Sequence, residues 1–255
     1  MQAYDNYDYP SYWDHRSYEH ESERIAINEL LKNFDLQSFN NVIDIGGGFG
    51  RLIPVYEKYC KNITLAEPSI TLIDRAKEDF KGIKFGKKVN YIHTNVEDLS
   101  KKVKQNSFDL ALMIRVMHHI EKPEVVFSTV SKILKNNGYF LFEFANKVHG
   151  KAVFGSLLRG DFTFSLDLSP QSKLSRKNKD IIPFLNYHPD IIKYHLSENN
   201  LEIKEILSVS NFRSGLIKSI LPLRTLLKIE KMFQKPLASI SFGPSTFILA
   251  QKVKK

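Results

Sequence analysis

The sequence predicts an α/β protein, a doubly wound parallel sheet with helices on both faces. Three observations carry that reading. Short apolar runs rich in β-branched residues recur through the first 145 residues, each followed by a stretch of helical period. One of them, Val42-Ile43-Asp44-Ile45, passes directly into Gly46-Gly47-Gly48-Phe49-Gly50, a strand-to-helix turn with glycines at alternate positions. The next run ends at Glu67, about 20 residues beyond the first glycine, where such a sheet sets a carboxylate against ribose hydroxyls.

Taken in order, Glu19 to Phe34 has the apolar spacing of an amphipathic helix. Strand one is residues 41–45, with its helix over about 50–60. A glycine turn of this kind aims free N–H groups at its contents, a site of the nucleotide-binding type. Strand two is 63–66, and Pro68-Ser69 opens a helix to about Phe80. Strand three is 89–93. Lys101, Lys102 and Lys104 read as a solvated loop. Strand four, 108–114, is apolar throughout, as central parallel strands are, and delivers Arg115, His118 and His119 at its carboxyl end. Pro123 starts a helix that Gly138 is expected to cap, and strand five is 139–144.

The turn lacks the G-x-G-x-x-G spacing of dinucleotide sites and the Gly-Lys-Ser/Thr of phosphate loops. With Asp44 it reads D-x-G-x-G-x-G through Gly46, Gly48 and Gly50. At this motif the chain resembles the class I S-adenosylmethionine (SAM) methyltransferases. The resemblance implies a Rossmann-like, seven-stranded sheet, mostly parallel, with an antiparallel strand seven between strands five and six. It implies SAM as cofactor, held by Asp44, Gly46, Gly47, Gly48, Gly50 and Glu67, with Arg115 nearby. Thr94-Asn95-Val96-Glu97 is similar to the family's adenine-binding segment, with Asn95 in the Asp position and Val96 and Glu97 following. Met117-His118-His119 resembles the L-H-H motif of the small-molecule branch, typified by ubiquinone and menaquinone C-methyltransferases. The N/D-P-P-Y/F motif of enzymes that methylate base amines is absent.

The resemblance covers about residues 40–145. The expected organisation is an N-terminal cap over 1–40, a SAM-binding core over 41–146, and a lid or substrate insertion after strand five over 147–200. Strands six (202–209) and seven (245–250) then close residues 201–255, around a basic helical insertion. Lys173, Arg176, Lys177 and Lys179 make the lid basic. In the cap, Tyr12, Trp13 and Arg16 either line the pocket or form a surface flap. His188, with Pro189 opening a helix to Glu198, is a candidate for acceptor binding alongside Tyr12 and Arg16.

Apolar and charged fractions of 42% and 25% are those of a soluble globular protein. Cys60, the single cysteine, is expected buried in a helix and excludes a disulfide framework. Residues 1–22 are rich in Tyr and acid and do not read as a signal peptide, and no run reaches the roughly 18 apolar residues of a membrane span. A cytoplasmic location is expected, with peripheral contact to a membrane as an extension of it. The net charge is +9, unevenly spread: residues 1–146 carry 19 basic and 20 acidic side chains, residues 147–255 carry 18 and 8. The excess suits an anionic partner or a plain solvated surface. Lys218, Arg224, Lys228, Lys231 and Lys235 recur at helical spacing around Pro222. They read as the wet face of a helical hairpin or as a surface for anionic lipid.

Methyl transfer from a sulfonium needs alignment, and a base only where the acceptor loses a proton. His118 and His119 are the candidates for that base; no ligand set for a metal surrounds them. The expected function is SAM-dependent methyl transfer to O, N or C of a small-molecule or lipid-linked acceptor. The alternatives are an RNA methyltransferase, with nucleic acid the lesser partner, and a catalytically silent SAM-binding regulatory protein. The sequence leaves the oligomeric state open.

Overall fold

The computed structural model describes residues 10–172 and 184–254; the lid cations from Lys173 to Lys179 lie outside the described residues. Seven strands form one sheet: β1 (Phe39–Ile45), β2 (Cys60–Glu67), β3 (Val89–His93), β4 (Phe108–Met113) and β5 (Leu134–Ala145) come first. A separate two-stranded sheet, β6 (Gln171–Ser172) with β7 (Leu185–Asn186), precedes β8 (Leu201–Val209) and β9 (Ser245–Lys252). The order is β3-β2-β1-β4-β5-β9-β8. Strands β1 to β5 pair in parallel, and β9 runs antiparallel to both β5 and β8. The chain reverses its direction of travel across the sheet between β1 and β4, the place where open α/β sheets bind ligands.

Period-two alternation sets the two cores. In β1, Val42 faces the core under α1 (Ser17–Leu31), α2 (Ile53–Tyr56) and α3 (Ile70–Asp79). Ile43 and Ile45 face the other, under α4 (Val96–Lys102), α5 (Pro123–Ile133) and α7 (Pro189–Glu198). Between α5 and α7 in sequence, α6 (Gly150–Leu157) stands beyond the carboxyl end of β5. After β8 come α8 (Gly215–Ile220) and α9 (Leu223–Ala238), divided at Pro222. Buried Leu226, Glu230 and Gln234 recur every four residues and give α9 one face against α1 and β8.

Three expectations need correction. The helix after the glycine turn is only four residues, followed by a 3-10 turn at Glu57–Tyr59, and Cys60 opens β2 instead of ending a helix. The thiol is still buried and donates to the Tyr56 carbonyl at 3.2 Å, and burial pushes it up to about 12. Lys101 and Lys102 belong to the last turn of α4, where cations complement the helix dipole. Gly138 caps no helix: α5 ends at Ile133, and the bulge between Leu134, opposite Phe108, and Tyr139, opposite Leu110, holds Lys135–Gly138 inside β5.

Candidate functional site

At the carboxyl end of β1 the glycine turn has φ of 66°, 58° and 76° at Gly46, Gly48 and Gly50, the left-handed region that side-chain-bearing residues avoid. Space is closed as well: a Cβ on Gly46 would lie 2.5 Å from Val116 Cγ2. Two buried carboxylates underlie the turn. Glu67, from the end of β2, accepts from the Gly48 N–H and the Ser69 N–H, each at 2.9 Å, one on each oxygen. Asp44 lies behind Gly47 and accepts from the Tyr56 hydroxyl at 2.6 Å. Burial raises its carboxyl to about 6, against the pull of that bond and of Arg51. A backbone turn over two acids fits a ligand with no diphosphate and with cationic groups.

On the far side of β2, Asn95 is the N-cap of α4, and its side-chain oxygen accepts from the Asp98 N–H at 2.9 Å. One lone pair of that oxygen is therefore spent within the fold. Val96 and Glu97 follow in the first turn of α4, where N–H groups have no partner inside the helix.

Beyond β4, His118 and His119 lie in a 3-10 turn with ring centroids 3.9 Å apart. Phe184, entering from the lid, stacks on His118 at 4.3 Å. His118 is buried, and its Nδ1 makes no hydrogen bond. Burial drives its pKa well below the ordinary histidine value, with His119 and Arg115 adding to the effect, so the ring is neutral. His119 is half-buried beside it.

The N-terminal segment crosses this end of the sheet and is held there by ions. Glu23 of α1 is fully buried, and it accepts from Arg51 Nη2 and Arg115 Nε, both at 2.6 Å. Burial alone would raise the Glu23 carboxyl, but Arg115 and Arg51 together hold it below its usual value. Trp13 is buried against the same pair, with the guanidinium of Arg51 3.4 Å and that of Arg115 5.6 Å from its ring centre. The residue after the last glycine of the turn is thus clamped to the cap. Outside this clamp Trp13, His20, Phe49 and Arg51 line an open cavity of about 570 Å³. Arg115, expected to meet the cofactor, instead gives its Nε to Glu23 and its backbone N–H to Glu143 Oε2 at 3.1 Å, in a left-handed conformation (φ 64°). Tyr12 lies under the guanidinium of Arg16, 4.1 Å away.

The segment after β5 is tied down by two buried residues. Lys147 Nζ donates to the Asp167 and Ser169 carbonyls and to the Asp167 carboxylate, at 2.5, 2.8 and 2.7 Å. His188, expected to meet the acceptor, has both ring nitrogens engaged: Nδ1 caps α7 through the Asp190 N–H at 3.2 Å, and Nε2 reaches the Ser165 carbonyl at 3.1 Å. It acts as an anchor because a histidine just before the Pro at the start of a helix is placed to cap it. Glu23, Arg51, Glu143 and Lys147 escaped the sequence reading. For Glu23 a signal was present: Glu19 and Glu23 share the face of α1 that carries Ala26, Ile27 and Leu30.

The chain matches the family model of the methyltransferase domain over residues 43–142. It is 30% identical over 118 residues to a Saccharomyces cerevisiae protein named a probable SAM-dependent methyltransferase, which covers 46% of this chain and 40% of that protein. It is 23% identical over 133 residues to the ubiquinone biosynthesis O-methyltransferase of Vibrio atlanticus, covering 50% of this chain and 53% of that one. The chain thus spans between two-fifths and about half the length of these relatives. The structure of a SAM-dependent methyltransferase from Archaeoglobus fulgidus shares the fold, with a TM-score of 0.59 at 15% identity over 97% of this chain and 100% of that one. With the glycine turn over two acids and a seven-stranded sheet with one antiparallel strand already in view, residues 43–142 carry a methyltransferase domain, and the chain has the fold of the solved SAM-dependent methyltransferases.

Proposed function

We propose that this chain transfers the methyl group of SAM to O, N or C of a small-molecule or lipid-linked acceptor. The observation that carries the reading is the contact of Glu67 with Gly48. It joins a buried acid from β2 to a bare-backbone turn from β1 at the switch point of the sheet. When bound, SAM supplies an activated methyl group on its sulfonium. The two oxygens of a carboxylate at this strand end, set against the turn, suit a vicinal diol. Asp44 puts negative charge under the turn, which favours a cationic ligand. The Asn95 side chain and the first-turn amides at Val96 and Glu97 suit an adenine edge. His118, with Nδ1 unspent, and His119 beside it are the candidates to take a proton from an acceptor that must lose one, although burial weakens His118 as a base.

A small acceptor is favoured over RNA in that part of the C-terminal charge is spent within the fold. Lys147, Lys218, Lys235 and Lys252 all bond to carboxylates or carbonyls of this chain. The apolar side chains of Leu216, Ile220, Leu223 and Met232 on α8 and α9 are exposed, which suits peripheral contact with a membrane that presents a lipid-linked acceptor.

Titration calorimetry tests the cofactor assignment. Glu67→Ala should weaken SAM binding by about 1.5–3 kcal/mol, the worth of charge-assisted hydrogen bonds. Unchanged affinity in a folded variant removes Glu67 from the site. Transfer of labelled methyl to panels of quinols, amines, acids and RNA then separates acceptor classes. Tight SAM binding without transfer to any of them favours the regulatory alternative.

A further inference from the structure

A 3-10 turn of three residues closes too few hydrogen bonds of its own to be rigid. Met117–His119 is such a turn, with no side-chain cap at its start. Its own bonds run from the His119 N–H to the Val116 carbonyl at 2.9 Å and from the Ile120 N–H to the Met117 carbonyl at 3.0 Å. Further support comes from 67 residues along the chain, where the buried Tyr187 donates its hydroxyl to the Ile120 carbonyl. Burial pushes that hydroxyl up to about 12, with Glu124 and Glu121 adding to the effect, so it keeps the proton that it donates. The backbone of Tyr187 is itself fixed to the end of β5. Its N–H donates to the Ala145 carbonyl at 2.8 Å, and its carbonyl accepts from the Lys147 N–H at 2.9 Å. Three residues earlier, Phe184 lies over the His118 ring, with centroids 4.3 Å apart and planes inclined by 25°, and meets His119 edge-on at 6.5 Å. A histidine is ordinarily aimed by a hydrogen bond to one ring nitrogen, but His118 Nδ1 makes none, and the face of Phe184 holds the ring instead.

We propose that Tyr187 and Phe184 are positioning residues for methyl transfer: Tyr187 fixes the end of the turn that carries His118 and His119, and Phe184 fixes the plane of the His118 ring and keeps water off it. This rests on the reading above, in which the histidine pair takes a proton from the acceptor. Both tasks fall to one short segment around β7, which is tied to β5 through the Tyr187 backbone and to the start of α7 through His188. The two side chains act through the histidines, and the cost of losing them follows from geometry. A base must come within about 3 Å of the proton it takes, so a ring that swings loses efficiency. The same loss lets water reach His118 and relieves the burial that depresses its pKa. A loosened turn therefore carries a stronger base that is worse aimed. Its pKa rises while turnover falls, a combination that a general loss of stability does not produce.

The test uses the full chain saturated with S-adenosylhomocysteine, its histidine rings labelled with carbon-13 and titrated by NMR, with His118→Phe assigning the His118 signal. The wild-type ring should titrate below the ordinary value of about 6.5. His119 and Arg115, the charged neighbours of His118, are present in every variant compared with it. Phe184→Ala should raise the His118 midpoint by about 0.5 pH unit or more, and Phe184→Tyr, which keeps a ring face, should restore it. Phe184→Leu keeps apolar cover without the stack and should give a smaller rise, which covers the case of an Ala variant that misfolds. Tyr187→Phe should also raise the midpoint. Ser131→Ala is the control: it removes another hydroxyl-to-carbonyl bond, at 2.9 Å to Asn199, and should leave His118 unmoved. The ring titration decides without an acceptor. In transfer of labelled methyl to the acceptor that takes most label from the panel above, kcat should fall about tenfold or more in Tyr187→Phe and Phe184→Ala, with the KM for SAM unchanged. Wild-type midpoints in both variants, an equal rise in Ser131→Ala, or unchanged kcat overturns the proposal. Transfer that is indifferent to His118→Phe combined with His119→Phe overturns the reading of the histidines as the base instead.

Discussion

The cofactor end of the sheet and the cap that crosses it are built by opposite means. The cofactor end is made of backbone: three glycines with positive φ, a strand end, and a carboxylate that bonds N–H groups 19 and 2 residues away. The cap is made of side chains that meet across long stretches of chain. Glu23 meets Arg115 over 92 residues, and Tyr18 meets Glu230 over 212 at 2.6 Å. A backbone site tolerates no added atoms but needs few particular side chains. A side-chain site tolerates changes of shape but fails when one ion of a buried set is lost.

The largest effect expected from that contrast is at Gly46. Gly46→Val forces a β-branched residue into positive φ, costing about 1–3 kcal/mol. It also drives a Cβ to within 2.5 Å of Val116, which adds overpacking of similar size. SAM binding should vanish. Gly160→Ala is the control: its φ is also positive, at 76°, but nothing lies within 4 Å, so it should cost only the backbone strain. If Gly46→Val binds SAM like wild type, the turn does not hold the ligand.

Next is the cap. Glu23→Ala strands two largely buried guanidinium groups, whose side chains are 10% and 18% exposed. Removing one partner of such a set costs about 3–5 kcal/mol. Urea unfolding should show the loss, and proteolysis should release the segment before α1 first. A cost under about 1 kcal/mol would mean that the clamp is a surface ion pair in effect.

The same contrast explains what the sequence revealed. The parallel strands, the glycine turn and Glu67 were legible because each is written in consecutive residues: a β-branched run, a spaced glycine set, an acid at a strand end; the strand order came with the family resemblance. The sheet came out with the expected antiparallel β9 between β5 and β8. Helix ends were less legible. Gly138 looked like a cap, but the strand pairing of Leu134 with Phe108 claimed the chain first and turned the following residues into a bulge. The Glu23 clamp was not legible, because nothing local to residue 23 announces Arg51 or Arg115. The partners of His188 were not legible for a related reason. Its ring is spent on capping α7 and on the Ser165 carbonyl, a contact set by the path of the lid.

Acid titration adds a test of burial, since Asp44 under the glycine turn and His118 beyond β4 are buried groups whose pKa values are shifted in opposite directions. His118 is depressed in the folded state, so the unfolded chain binds the extra proton below the ordinary value of 6.5. Its contribution to stability is present above that pH and is lost as the pH falls. Asp44 is raised from 3.8 to about 6, so the folded state binds the extra proton between those values, and stability from it grows as the pH falls through that window. Between about pH 4 and 6 the two oppose each other, each with a slope of at most about 1.4 kcal/mol per pH unit. His118→Phe should flatten the loss of stability on acidification, and Asp44→Asn should steepen it. Unfolding curves that keep the wild-type slope in both variants would show that neither group titrates as its burial implies.

The smallest expected effect concerns the outer face of α9, which belongs to neither construction. Of the five cations read from the sequence along α8 and α9, Lys218 on α8 and Lys235 on α9 are paired with Glu19 and Glu205. Arg224 and Lys228 are exposed and make no ion pair among the described residues. They stand on the same helix as exposed Leu223 and Met232. Reversing both, Arg224→Glu with Lys228→Glu, should change stability by no more than about 0.5 kcal/mol, as surface changes do. It should leave SAM affinity alone, since α9 meets the rest of the fold through Leu226, Glu230 and Gln234 on its other face. Binding to vesicles is the readout that moves if this face meets anionic lipid. Wild type should prefer anionic over neutral vesicles, lose that preference as salt screens charges beyond about 8 Å, and lose it outright in the double variant. Equal binding of both proteins to both kinds of vesicle would make the face a solvated surface. The acceptor would then reach the His118 turn from solution.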